Sequence, residues 1–365
     1  AAVSEVLDEH VVSGFSRLGS SDALPLRGAV VAAVNRRPWE HTDPGPVMPF
    51  DQVVAAIGAG EYPLFVQLCR PPLPPQQQAS EPKFPPIKLV YTIVASNREV
   101  RKEPIGGEFQ MGSSLSTVSR DVDWYLAACM APATLPELGA GMFVNIETLA
   151  FCGMCWLGRE RALRLLADHP AKELFVSVHG FNTPQPYATR VCAVFQRTFY
   201  KPLGLVLTWP SDPPAEGRGS WIITQVMSAY ERRYTYSEHN MHASIFPFLQ
   251  AALDASRAGP KKTLLWKAHS MGCYLLLNMV DRLNWKGEAV SEIFPRIILD
   301  APDVPTWFFR SIVATSADAG VRLCHYFNAH DKATEASRDR RALERPYPGN
   351  EAVLAHGNLE VVCCD

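Results

Sequence analysis

Apolar residues change their spacing along this chain, and the change divides it. Between residues 4 and 18 they recur at helical intervals (Val6, Leu7, Val11, Phe15), which predicts one amphipathic helix. Residues 28–34 form a strand-like run, residues 50–57 a second helix, and residues 62–68 a strand or a short helix. The stretch Pro71-Pro-Leu-Pro-Pro-Gln-Gln-Gln-Ala-Ser80, closed by Pro85-Pro86, carries no such period; its composition predicts an extended linker. The expected organisation is a mainly helical segment over 1–70, a linker over 71–86 and a larger domain over 87–365.

After the linker, continuous apolar runs alternate with helical stretches. Strands are expected at 89–95, 174–178, 205–209, 263–267, 296–299, 321–327 and 359–363. Helical spacing is read over 146–166, 187–200 and 244–255, and again from Met271 through Leu275, Leu276, Met279, Val280 and Leu283. A strand that is apolar at every position has both faces covered, so the expected fold is α/β: a mostly parallel sheet flanked by helices. Ligands of such sheets bind beyond the carboxyl ends of the strands. Pro and Gly crowd the chain after residue 209, and the segment from 212 to about 240 reads as a lid or cap.

Composition narrows the function classes. The 365 residues are 47% hydrophobic and 20% charged, with a formal net charge of −2 and no block of Lys or Arg, which argues against a nucleic-acid partner. No apolar run reaches spanning length, so no transmembrane segment is expected. The acidic start is not a secretory signal; there is no initiator Met, and a removed targeting segment stays open. The nine cysteines are odd in number and scattered, and no glycosylation sequon accompanies them, which fits the cytoplasm or another reducing compartment. Cys152 and Cys155 have the spacing of a redox pair, but they stand alone in a helix-like run and read as core cysteines, as do Cys363 and Cys364. His239 and His242 lack surrounding acids, so no metal is expected. No Walker loop, GxGxxG or HExxH is present, and no cofactor is expected. Residues 1–86 suggest only an accessory layer or a surface for a protein partner.

The candidate chemistry sits at strand ends. Ala268-His269-Ser270-Met271-Gly272 lies between the strand at 263–267 and the helix from Met271. A serine on a sharp strand-to-helix turn is a nucleophile elbow: small neighbours such as Ala268 and Gly272 let strand and helix cross closely, and the helix N-terminus offers N–H groups to a developing oxyanion. Ser270 is therefore the candidate nucleophile. At the end of the strand at 174–178 stands His179-Gly180-Phe181-Asn182-Thr183. A His-Gly turn there brings a backbone N–H to the substrate oxygen, so the Phe181 and Met271 amides are the candidate oxyanion hole. His179 itself reads as a hydrogen-bonded turn residue.

The succession His-Gly-Phe-Asn-Thr, Thr208-Trp-Pro-Ser211, Ala-His-Ser-Met-Gly and Leu299-Asp-Ala-Pro-Asp-Val304 resembles a little-characterised family of esterase/lipase-like α/β hydrolases. Ser96-Asn97-Arg98 and Ser116-Thr-Val-Ser119 resemble that family's opening segment, and the likeness runs from about Ile87 onward. It implies a serine-hydrolase fold of the α/β-hydrolase type, with the physiological substrate usually unassigned. Together with the elbow, the expected function is a serine carboxylic-ester hydrolase acting by acyl transfer on a small ester or acyl substrate.

A serine hydroxyl needs a base to take its proton and an acid to orient that base, in the chain order Ser, acid, His for this fold. Asp331 follows the second strand after the elbow and is the first choice of acid; Asp303, after the intervening strand, is the alternative. Either could instead cap the helix that follows it. In relatives the histidine follows the last strand, and none follows 359–363 here. Three readings stay open: the chain is cut short, His356 substitutes, or the fold is a catalytically degenerate hydrolase serving as a binding or assembly module.

Overall fold

The computed structural model describes residues 30–35, 65–69, 87–101, 110–115, 122–132, 149–198, 203–212, 223–259, 262–287, 289–340, 348–349 and 359–363. Strands β1 (Val30–Asn35) and β2 (Phe65–Cys69) pair antiparallel, so the expected alternative at 62–68 resolves as a strand. The helices expected at 4–18 and 50–57, and the linker at 71–86, lie outside the described residues. A second small pair joins β4 (Arg98–Arg101) to β5 (Gln110–Leu115).

The main sheet is built from β3 (Ile87–Ser96), β6 (Asp123–Pro132), β7 (Ala150–Trp156), β8 (Glu173–Val178), β9 (Gly204–Thr208), β10 (Thr263–His269), β11 (Arg296–Asp300), β12 (Arg322–Phe327) and β13 (Leu359–Cys363). Its nine strands run in the order β13-β12-β11-β10-β8-β9-β3-β6-β7. From β13 to β3 every neighbouring pair is parallel; only β3–β6 and β6–β7 are antiparallel. The helices are α1 (Arg159–Asp168), α2 (Gln185–Thr198), α3 (Ile223–Arg257), α4 (Met271–Trp285), α5 (Val290–Ile293), α6 (Thr306–Asp318) and α7 (Lys332–Arg340).

The apolar strands are continuous because each serves two cores. Ile93, Val176, Leu205 and Leu207 face a large core shared with α1, α3, α4 and α6. Their strand neighbours Val94, Phe175 and Val206 face the opposite layer, where Ala188 and Cys192 of α2 lie. Period-2 alternation of side chains with apolar residues at every position requires such double cover. Helix α4 lies deepest. Met271, Gly272, Cys273, Leu275, Leu276, Leu277, Met279, Val280 and Leu283 are all buried, and each large side chain among them contributes about 1.5–3 kcal/mol by leaving water.

Two expectations need correction. The stretch 146–166 is not one helix: Ala150–Trp156 is a strand, and the helix begins only at Arg159. Gly153 (φ 135°) and Gly158 (φ 71°) take backbone angles that a helix cannot use, and β6 supplies a pairing partner whose ladder overrides weak local preference. Cys152 and Cys155 therefore sit on a strand. Burial pushes the Cys155 thiol up to about 11, away from the range of a redox thiolate. Nor is 212–240 a separate cap over its whole length. From Ile223 it is the first half of α3, a single helix of 35 residues with Pro247 inside; residues 213–222 lie outside the described part.

The sheet order fixes where a site can form. From β8 the chain passes to β9 on one side, whereas β10 lies on the other side of β8. This reversal leaves a crevice at the carboxyl ends of β8 and β10, where ligands of open α/β sheets bind. The residues there are those of the His-Gly turn and of the Ser270 pentapeptide.

Candidate active site

Ser270 stands between β10 and α4 with φ 52° and ψ −124°, an angle pair that costs a side-chain-bearing residue about 1–3 kcal/mol. It occupies the N-cap of α4, a position where serine usually bonds the first-turn amides, yet its hydroxyl makes no capping hydrogen bond. The turn is held by backbone contacts: Ser270 N–H donates to the Asp300 carbonyl at 2.9 Å, and the Ser270 carbonyl accepts from Cys273 N–H at 2.9 Å and Asp303 N–H at 3.2 Å. Met271 opens α4, so its N–H has no intrahelical acceptor.

The His-Gly turn is pressed against this elbow. A β-carbon on Gly272 would lie 2.3 Å from the His179 carbonyl oxygen, so backbone meets backbone there. A β-carbon on Gly180 would lie 3.0 Å from both His269 Nδ1 and Ser270 Cβ. His179 is a structural residue. Its Nε2 accepts from Trp209 N–H at 3.2 Å, which leaves the proton on Nδ1, 3.0 Å from the Gly180 carbonyl. The ring stacks on Trp209 with centroids 5.5 Å apart, and the indole N–H donates back to the His179 carbonyl at 3.1 Å. Burial lowers its pKa to about 3, with Arg98 and His269 adding to the shift, so it stays neutral.

Neighbouring motifs lock the turn in place. Asn182 N–H donates to the Ser211 carbonyl at 2.7 Å, and Thr183 N–H to the Ser211 hydroxyl at 3.1 Å. Buried Arg98 pairs with Asp212 and donates to Thr208 Oγ1 and the Thr183 carbonyl, both at 2.9 Å. Helix α3 adds three contacts: Ser237 to the Ser211 carbonyl, Asn240 to the Pro210 carbonyl and Arg233 to Asn182 Oδ1. The Ser96-Asn97-Arg98, His-Gly-Phe-Asn-Thr and Trp-Pro-Ser segments thus form one hydrogen-bonded unit.

The acids occupy different surroundings. Asp331 is the N-cap of α7, where its Oδ1 accepts from Thr334 N–H at 3.3 Å, and its charge raises the pKa of His269. Burial is the larger effect and lowers that pKa, although the residue as a whole is exposed. Asp300, next to His269 in the sheet, pairs with Lys267 at 2.8 Å. Burial alone would raise the Asp300 pKa, but Lys267 and His269 together hold it below the usual carboxylate range. Asp303 is only 2% exposed. Its Oδ2 accepts from the Tyr234 hydroxyl and its Oδ1 from the Ser337 hydroxyl at 2.6 Å. The Tyr234 ring also lies 5.4 Å from that of Phe181.

The structure therefore gathers Ser270, Met271, Gly272, His179, Gly180, His269 and Asp303 at one sheet end, with Phe181 and Asp331 beside them. His356 lies outside the described residues. Tyr234 and Ser337 had no local signal in the sequence, because only tertiary packing brings them to Asp303. Among the described residues there is no group of three His, Cys, Asp or Glu side chains able to hold a metal, and no helix is long and apolar enough to cross a membrane.

Among solved structures, one of two fungal esterases from Rhizomucor miehei aligns over 80% of this chain and 76% of its own, at 11% identity and a TM-score of 0.32. A GH10 xylanase with a bacterial Ig-like domain, from termite gut, aligns over 69% of this chain and 73% of its own, at 11% identity and a TM-score of 0.17. At those scores neither likeness bears on what this chain does. A search of curated proteins finds no match. The sequence profile of a family described as "Alpha/beta hydrolase of unknown function (DUF900)" matches residues 159–343. That span is just over half of the 365 residues and contains the His-Gly turn, the elbow, Asp303 and Asp331. By this match, on a mostly parallel sheet flanked by helices, the chain belongs to the DUF900 family of α/β hydrolases.

Proposed function

We propose that this protein is a serine hydrolase that cleaves carboxylic esters by acyl transfer. The observation that carries the reading is Ser270 itself: a serine at a helix N-cap that does not cap, held at φ 52° against a His-Gly turn at the switch point of the sheet. Strain of this kind persists where surrounding contacts over-determine it, and it recurs at functional sites.

In the proposed reaction the Ser270 oxygen attacks the ester carbonyl carbon while a base takes the hydroxyl proton. The Phe181 and Met271 amides donate to the oxyanion, each such donor being worth about 3 kcal/mol in the transition state. The tetrahedral intermediate collapses, the proton passes to the departing alkoxide, and an acyl-enzyme remains; water then repeats the sequence and releases the acid. Asp331 is the acid that orients the base. Its support is its place after β12, the second strand beyond the elbow, whereas both oxygens of Asp303 already accept hydroxyl protons. His356 is put forward as the base. No metal or organic cofactor enters the scheme.

Labelling with a fluorescent fluorophosphonate tests this. The chain should become labelled, Ser270→Ala should abolish labelling, and His356→Ala should lower its rate at least about 100-fold if that residue is the base. A chain that stays unlabelled both as it stands and when extended beyond residue 365 would overturn the enzyme reading in favour of a hydrolase fold used for binding. Undiminished labelling of His356→Ala would remove His356 alone.

A further inference from the structure

Asp303, Tyr234 and Ser337 close a buried triangle. The carboxylate accepts from both hydroxyls, and the two hydroxyl oxygens lie 2.9 Å apart. All three residues are at most 2% exposed, so water does not compete for these bonds. They come from three separate parts of the chain: α3, the loop after β11, and α7. Each is also linked to something the proposed reaction uses. The Tyr234 ring packs on Phe181 at 5.4 Å. Asp303 N–H donates to the Ser270 carbonyl at 3.2 Å. Ser337 lies on the helix that Asp331 caps.

We infer that Asp303 is a positioning residue, which through Tyr234, Ser337 and its own amide fixes Phe181, Asp331 and Ser270 relative to one another. The inference rests on the serine-hydrolase reading for its consequence in rate. A carboxylate suits this task because it can accept two hydroxyl bonds at once without a proton of its own. Buried charge-assisted hydrogen bonds are short and directional, so they fix the groups they join. The backbone agrees. Residues 301–306 are all buried, and Ala301 takes φ 44°, so this loop is fixed from both ends.

The test compares Tyr234→Phe, Ser337→Ala, Asp303→Asn and Asp303→Ala in the full chain. Three readouts are taken: the fluorophosphonate labelling rate of Ser270 against pH, thermal midpoint, and deuterium exchange of backbone amides. Positioning predicts that Tyr234→Phe and Asp303→Asn each slow labelling by about tenfold, since small misplacements of reacting groups carry losses of that order. The pH midpoint of labelling stays at the wild-type value, and exchange rises in 178–183 and 331–338. Asp303→Asn, which keeps one acceptor oxygen, retains more activity than Asp303→Ala. Loss confined to the Asp303 variants, with Tyr234→Phe at the wild-type rate and a displaced pH midpoint, would make Asp303 the acid of the triad and overturn the inference. Wild-type labelling and exchange in all variants would overturn it as well. If the wild-type chain is labelled neither as it stands nor when extended beyond residue 365, the hydrolase reading fails, and amide exchange in the same variants still decides the positioning role.

Discussion

At position 272 a methyl group in place of hydrogen would sit 2.3 Å from the His179 carbonyl oxygen, a distance no carbon tolerates. Gly272→Ala should therefore force the elbow and the His-Gly turn apart, with a loss of about 1–3 kcal/mol in stability, as for other overpacked cores, and near-complete loss of fluorophosphonate labelling. Gly180→Ala meets its neighbours at 3.0 Å and should give a milder form of the same defect. Urea unfolding and labelling of both variants would rank them. A Gly180→Ala more damaging than Gly272→Ala would show that the close approach of the two turns is not the controlling contact. The elbow was legible in the sequence because the apolar spacing switches from strand to helix on either side of Ser270. The tightness of its contact with His179 was not, since nothing local to either turn records how near the other comes.

Among the elements, β4 carries Arg98, which joins the ends of two neighbouring strands. Arg98 is fully buried yet bonds Asp212, Thr208 and Thr183, so the ends of β8 and β9 meet at one guanidinium. Arg98→Ala would leave the partly buried Asp212 carboxylate without its guanidinium and take a donor from Thr208 Oγ1 and from the Thr183 carbonyl, which keeps the Ser211 hydroxyl, and should cost about 3–5 kcal/mol in urea unfolding. Lys in its place offers one point of charge instead of a planar fork and should recover only part of the loss. Equal stability of the Ala variant and wild type would mean that the loops are held without it. Ser96-Asn97-Arg98 could be singled out from the sequence only through its place in a resemblance. The strands β3, β8, β9, β10, β11, β12 and β13 could be read directly, most plainly β8 and β9, where double-sided burial writes a continuous apolar run. Strand β7 could not: Ala-Phe-Cys-Gly-Met-Cys-Trp fits a helix or a strand by spacing, and its pairing with β6 decides. The long α3 was read only in its second half, since Ser237, Asn240 and Ser244 turn polar groups inward to reach loop carbonyls and other side chains and so blur the apolar face.

For the whole molecule, buried histidines set a pH dependence. The folded pKa of His179 is lowered by burial to about 3 and that of His169 to about 4, both from an ordinary 6.5. The unfolded chain thus binds more protons between those values. Stability is fully present above about pH 6.5 and falls as the pH drops toward 4, each group adding at most about 1.4 kcal/mol per pH unit. Calorimetric midpoints measured from pH 7 to pH 4 should decline, and His179→Gln should flatten the decline. A midpoint that rises on acidification would contradict the neutral, buried His179.

The strand order would allow the sheet to assemble in the order of synthesis. Strands β3, β6 and β7 are neighbours in the sheet and successive among its strands, so this antiparallel corner can form while the rest of the chain is still being made. Strands β8 and β9 then join through β3. Every later strand adds to the same free edge, β10 beside β8, then β11, β12 and β13 in turn. On such a route the residues of the crevice would be added in chain order: His179, then Ser270, then Asp303, then Asp331. The serine turn needs the Asp300 carbonyl and the Asp303 amide, so a chain that ends before β11 lacks the contacts that hold it. Any acyl-transfer capacity would therefore arise late in translation, after most of the sheet has closed.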